Sequence, residues 1–115
     1  MKLKFITPIK DSLNQVITLN LEIGKETKRV RLSLIYQEKT NLWYMSLSDV
    51  QTEEEYLSNV PLLSSGTNAN NLWEPFYYKR VGLLFCYPKS DSPSTPNPSK
   101  DNLDEFYIVW SDGIV

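Results

Sequence analysis

Two stretches between Gln15 and Tyr36 alternate between an apolar series and a largely polar one, and that period leaves the backbone little choice. Ile17, Leu19, Leu21 and Ile23 fall on one side, and Val16, Thr18, Asn20 and Glu22 on the other. Successive side chains of an extended chain point to opposite faces, so a period of two marks a half-buried strand. Gly24-Lys25-Glu26 breaks the run, and glycine reaches backbone angles closed to other residues. Beyond it Val30, Leu32, Leu34 and Tyr36 resume the inward series against Arg29, Arg31 and Ser33. The pair predicts a β-hairpin.

The pattern extends in both directions. Glu38-Lys39-Thr40-Asn41 forms a second polar turn, and Leu42 to Asp49 sets Trp43, Met45 and Leu47 against Tyr44, Ser46 and Ser48. Three strands joined by short turns make a meander. Leu3 to Ile6 predicts a further short strand closed by Pro8. Glu53-Glu54-Glu55 reads as a solvated turn rather than a metal site. Asn59 to Leu63 reads as a short edge strand, because Pro61 has no N–H for a ladder. Ser64 to Asn71 is loop by composition, and Leu72 to Tyr78 carries four aromatics around Pro75 with no clean period. Val81 to Tyr87 predicts a strand, with Val81, Leu83, Phe85 and Tyr87 opposite Gly82, Leu84 and Cys86. Lys89 to Lys100 holds Pro93, Pro96, Pro98 and four serines, which reads as a mobile or extended loop. Too little chain follows for it to be a domain boundary. Leu103 to Ser111 supplies the last strand. No helix and no internal repeat finds support. The expectation is a single all-β domain over residues 1–115, a small antiparallel barrel or sandwich of about six to eight short strands.

Composition narrows the chemistry. Among 115 residues there is no histidine, which excludes Ser-His-Asp and Cys-His nucleophile systems and every His-ligated metal site. The one cysteine, Cys86, cannot form an internal disulfide or a thiolate cluster. Its place in an apolar strand predicts a buried, inert thiol. Four scattered glycines make no phosphate-cradling loop. Asp101, Asp104, Glu105 and Asp112, like Glu53 to Glu55, show no spacing that would hold two carboxylates in a cleft, and read as solvated surface. The chain is therefore expected to be no enzyme, with no catalytic residue, cofactor or metal. No run approaches the roughly 18 apolar residues of a membrane span. The start Met1-Lys-Leu-Lys-Phe-Ile meets Pro8, Lys10 and Asp11 too soon for a secretory signal. A soluble intracellular protein is the expectation. With 12 basic and 14 acidic side chains, the chain lacks the basic excess that displaces counterions from nucleic acid. Lys25, Lys28, Arg29 and Arg31 do cluster near Tyr36 and Trp43, which keeps an OB-like single-stranded nucleic-acid surface as an alternative.

Aromatic surplus is what remains. The chain carries 3 Trp, 7 Tyr and 4 Phe, more than one small β core comfortably hides. Aromatics anchor protein interfaces because they bury large area at low entropic cost. They also serve as caps over the open ends of a barrel, and both readings stand. Trp43, Trp73, Phe76, Tyr77 and Tyr78 are the candidate interface anchors.

The order of segments resembles the small baseplate plug proteins of contractile-tailed phages and phage-tail-like particles. The alternating strand ending at Tyr36 is followed by the aromatic strand Leu42-Trp43-Tyr44-Met45-Ser46-Leu47-Ser48-Asp49. Val60-Pro61-Leu62-Leu63-Ser64-Ser65-Gly66 is similar to the family's apolar-Pro-Leu-apolar stretch closing on glycine. Val81-Gly82-Leu83-Leu84-Phe85 and Asp101-Asn102-Leu103-Asp104-Glu105-Phe106-Tyr107-Ile108-Val109 complete the succession. The resemblance covers residues 14 to 112 and implies a structural virion protein of the tail baseplate, assembled in the bacterial host cytoplasm. It implies a subunit that joins the tail tube end to the central hub and spike, with those proteins and copies of itself as partners. The family has no catalytic residue to carry over. Besides the nucleic-acid module, a small adaptor or inhibitor protein of a mobile element remains an alternative.

Overall fold

Seven strands account for the alternating stretches. In this computed structural model, which describes residues 2–9, 11–64 and 70–114, they are β1 (Leu3–Ile6), β2 (Asn14–Ile23), β3 (Glu26–Gln37), β4 (Leu42–Asp49), β5 (Glu55–Pro61), β6 (Leu83–Pro88) and β7 (Phe106–Ser111). They form a four-stranded sheet in the order β2-β3-β4-β5 and a three-stranded sheet in the order β1-β7-β6. Every pairing is antiparallel. The two sheets are not closed on each other, so of the two expected architectures the sandwich is the one adopted. Where β1 and β2 approach, side chains bridge the gap instead of a ladder: Lys4 Nζ donates to the Asn20 carbonyl at 2.7 Å, and Lys2 pairs with Glu22 at 2.9 Å.

The β2–β3 hairpin forms as the alternation requires. Ile23 pairs with Glu26 across the two-residue link Gly24-Lys25, and Gly24 has φ +61°. A positive φ at the first turn position belongs to the tight hairpin turns whose twist matches the strands. Inward rows then run across the sheet, one of them Ile17, Leu32, Leu47 and Leu57. Leu21, Val30, Leu32, Leu34, Trp43, Met45 and Leu47 are buried. Gln15 continues the inward series of β2 although it is polar, and it is buried as well. Its amide is satisfied by the β1–β2 connection: Nε2 donates to the Ile9 and Ser12 carbonyls, and Oε1 accepts from the Ile9 N–H at 2.7 Å.

Three expectations need correction. The predicted strand over Val81 to Tyr87 begins only at Leu83, because Gly82 has φ +84° and lies against the Trp110 indole. A Cβ on Gly82 would stand 2.5 Å from both Trp110 Nε1 and the Ser111 carbonyl oxygen. The strand predicted from Leu103 begins at Phe106, after a 3₁₀ turn over Leu103–Glu105. A longer 3₁₀ helix spans Glu74–Lys79, where no helix was expected.

The Pro/Ser-rich segment 89–100 carries neither strand nor helix and is bound to the sandwich by side-chain hydrogen bonds. Asn102 is buried, and its Oδ1 accepts from the Ser99 N–H and hydroxyl while its Nδ2 donates to Thr95 Oγ1. Asn97 Oδ1 accepts the Ser64 N–H at 2.8 Å, and Pro98 is buried. Trp43 Nε1, from the middle of the other sheet, donates to the Ser99 carbonyl at 2.9 Å. Part of the predicted loop from Ser64 to Asn71, residues 65–69, lies outside the described residues. No described helix is long and apolar enough to cross a membrane.

Two stability outcomes are expected. Gly82→Ala meets backbone and the indole at once in a conformation that L residues rarely adopt, and is expected to cost about 2–4 kcal/mol. Gln15→Ala leaves the Ile9 N–H and the Ser12 carbonyl to find new partners and is expected to cost about 1–3 kcal/mol. Urea midpoints of the purified variants check both.

Candidate protein-binding surface

The 3₁₀ helix Glu74–Lys79 organises the most prominent aromatic surface. Pro75 sits in its first turn, where a missing N–H costs nothing. Asn71 Oδ1 accepts the Trp73 N–H at 3.0 Å and the Leu84 N–H at 2.9 Å, tying the start of the helix to β6. The other end closes on Arg80, whose φ is +56° and whose N–H donates to the Tyr77 carbonyl. Lys28 Nζ, reaching from β3, donates to the Lys79 and Arg80 carbonyls at 3.0 and 2.9 Å and lies over the Tyr56 ring. Carbonyls at a helix end favour such a cation.

With three residues per turn, positions three apart share a side. Trp73 and Phe76 therefore turn inward, Trp73 fully buried and Phe76 packed against the core. Tyr77 and Tyr78 turn outward and are 66% and 74% exposed. They border an open groove of about 370 Å³ that is also lined by Ile23, Arg80, Asp112 and Ile114. Arg80 approaches Glu26 at 3.8 Å across its rim. Loss of hydration works to raise the Asp112 pKa, but hydrogen bonds from the Ile114 and Lys2 backbone N–H groups outweigh it and hold the carboxyl below its ordinary range. The groove thus carries one guanidinium, one carboxylate and two tyrosines.

Of the five candidate anchors, the structure brings Phe76, Tyr77 and Tyr78 together on this helix and withdraws two from the surface. Trp43 and Trp73 have no exposed area, so in this chain they are core residues and not open contact points. Trp43 stands between Tyr36, edge-on with ring centroids 5.6 Å apart, and the Pro/Ser-rich segment. Trp73 Nε1 is buried with no hydrogen-bond partner among the described residues. Ile23, Asp112 and Ile114 carry no sequence signal as groove residues, because only the fold brings the hairpin turn and residues 112–114 beside residues 77–80.

The basic cluster does not assemble into a nucleic-acid platform. Lys28 is committed to the helix end, Arg29 and Arg31 lie on the outer face of β3, and Tyr36 and Trp43 belong to its inner side. Glu53, Glu54 and Glu55 are all exposed, and the adjoining turn is organised by Asp49, which accepts the Gln51 and Thr52 N–H groups. Cys86 is buried on the inner face of β6, and burial pushes its thiol up to about 12. Alkylation of Cys86 at neutral pH is therefore expected to be roughly 100-fold or more slower in the native chain than in denaturant, as a thiol-reagent time course would show.

The fold and this surface define a small antiparallel β-sandwich that presents rigid aromatics beside an open groove. Residues 4–113 match the family described as cyanophage baseplate Pam3 plug gp18. The chain belongs to that family of baseplate plug proteins, and is thus a structural component of a phage tail baseplate. No curated protein matches it.

Proposed function

We propose that this chain plugs the junction where the end of the tail tube meets the central hub and spike of a contractile tail, and that it acts by binding alone, turning over no small molecule. The observation that carries this reading is the match to the baseplate plug family across residues 4–113, nearly the whole chain. The geometry supports it through Tyr77 and Tyr78, which are held on a short helix fixed at both ends and need little ordering when a partner covers them. On this reading tube, hub and spike proteins are the partners, Tyr77 and Tyr78 are the anchors with Phe76 beneath them, and the subunit joins the particle in the host cytoplasm.

Peptide mass spectrometry on purified, sheared tails tests the assignment. A few copies per tail, near the stoichiometry of hub and spike, is the expected result; recovery only from the soluble lysate overturns it. Substitution separates surface from core. Tyr77→Ala and Tyr78→Ala should leave stability within about 0.5 kcal/mol of the parent and lower incorporation into tails. Trp73→Ala should cost about 3–5 kcal/mol and lose incorporation by unfolding, which a melting curve of the isolated variant distinguishes.

A further inference from the structure

The three-stranded sheet is apolar on both faces. Its inner side is formed by Leu84, Cys86, Phe106, Ile108 and Trp110, all buried. Its outer side follows from the register: Leu3, Ser111 and Leu83 lie in one row, Phe5, Val109 and Phe85 in the next, and Tyr107 beside Tyr87 in the third. Ser111 alone among these eight is polar. Leu3 and Phe5 are 58% and 59% exposed and Tyr107 39%. The rings are already ordered against one another, Phe5 to Tyr107 at 5.8 Å and Tyr87 to Tyr107 at 5.3 Å between centroids. Strands apolar on both faces are the mark of a sheet covered on both sides; here the centre of the outer face is closed, with Val109 and Ser111 buried, while Leu3, Phe5 and Tyr107 are left open around it.

The sheet edges, by contrast, are closed to a partner strand. β1 is four residues long. The Leu84 N–H and carbonyl at the free edge of β6 are taken by Asn71 Oδ1 and the Leu72 N–H. Lys4 occupies the Asn20 carbonyl on β2. β5 is broken by register shifts against β4, holds Asn59 at φ +54° and ends on Pro61. Short, bulged, proline-bearing and lysine-guarded edges are how sheets avoid strand addition. Contact is left to the face.

We propose that the outer face of β1-β7-β6 docks onto a different baseplate subunit, one that offers an apolar patch edged by charges of both signs at the Tyr107 end. Three strands at their usual spacing over six residues give a footprint of roughly 300 Å², well short of the roughly 800 Å² per partner of a standard stable interface. A second copy meeting this face alone would not hold, whereas one contact among several in an assembly needs no more. Charge sets the partner's rim: the Lys89 ammonium rests over the Tyr107 ring at 5.3 Å and Asp104 lines the same depression, so this end presents both signs. The face also runs into the Tyr77–Tyr78 groove, because Leu83 packs within 3.4 Å of where a Cβ on Gly113, a groove residue, would stand. This inference rests on the baseplate reading above.

The test uses phage carrying Phe5→Asp, with Val16→Asp on the exposed outer face of the other sheet as the control, together with sedimentation and melting of the purified chains. The wild-type chain is expected to sediment as a monomer at micromolar concentration. Phe5→Asp should melt like the parent and drop at least tenfold in purified tails, with Val16→Asp incorporated normally. Should Phe5→Asp melt early, Leu3→Asp on the same face carries the same decision. Normal incorporation of a folded face variant overturns the docking face and leaves the baseplate reading standing. A wild-type dimer that Phe5→Asp dissolves makes the occupant a second copy and overturns the proposal. Absence of the wild-type chain from tails overturns the baseplate reading itself.

Discussion

Two sheets that share no ladder are held together by what lies between them, and here that layer is built around two tryptophans with polar handles. An indole N–H left without an acceptor in a core costs free energy, and of the three buried tryptophans two have one among the described residues. Trp110 finds one in the Val81 carbonyl at 2.7 Å, and Trp43 in the Ser99 carbonyl at 2.9 Å. Both acceptors belong to irregular chain beyond the strands. The segments around Val81 and Ser99 are therefore part of the core's hydrogen bonding, and their odd conformations follow from it. Gly82 takes a positive φ so that the backbone can pass the Trp110 ring. The proline-rich segment folds onto Asn102 so that Ser99 presents its carbonyl to Trp43.

The large sheet was legible because its two faces differ in chemistry. In β2, β3 and β4 the outward positions are mostly polar or charged, so alternation assigned both the strand and its buried side. In β6 and β7 the alternation was equally regular but could not say which side was inner, since Leu83, Phe85 and Tyr87 are as apolar as Leu84 and Cys86. The helix at Glu74–Lys79 escaped because its period of three fits neither strand nor α-helix. Counting aromatics could not separate Trp73 from Tyr78, because burial depends on which side of that helix faces the core. Prolines and serines in 89–100 suggested a mobile or extended loop; what composition could not show was that asparagine hydrogen bonds, between residues that no spacing rule links, tie that loop to the sandwich.

Gln15 shows the same limit from the other side. It occupies an inward position in β2, where a polar residue argues against burial. The amide carries both a donor and an acceptor, and the Ile9 backbone offers the complement of each, so burial leaves nothing unsatisfied. The chain between β1 and β2 is thereby fixed without regular structure. That places β1 beside β7, and β1 contributes Leu3 and Phe5 to the outer face.

A subunit of a many-component particle must bind in one place and refuse all others. Strand addition at a sheet edge recognises backbone, which every protein offers, and so invites polymers and wrong partners. Aromatic faces recognise shape, and fixed rings lose little entropy when covered. Lysine, proline, bulge and side-chain amide close the edges, while Phe5, Tyr107, Tyr77 and Tyr78 stand exposed on rigid supports. A free edge would offer its backbone to any strand, and these devices withdraw that offer.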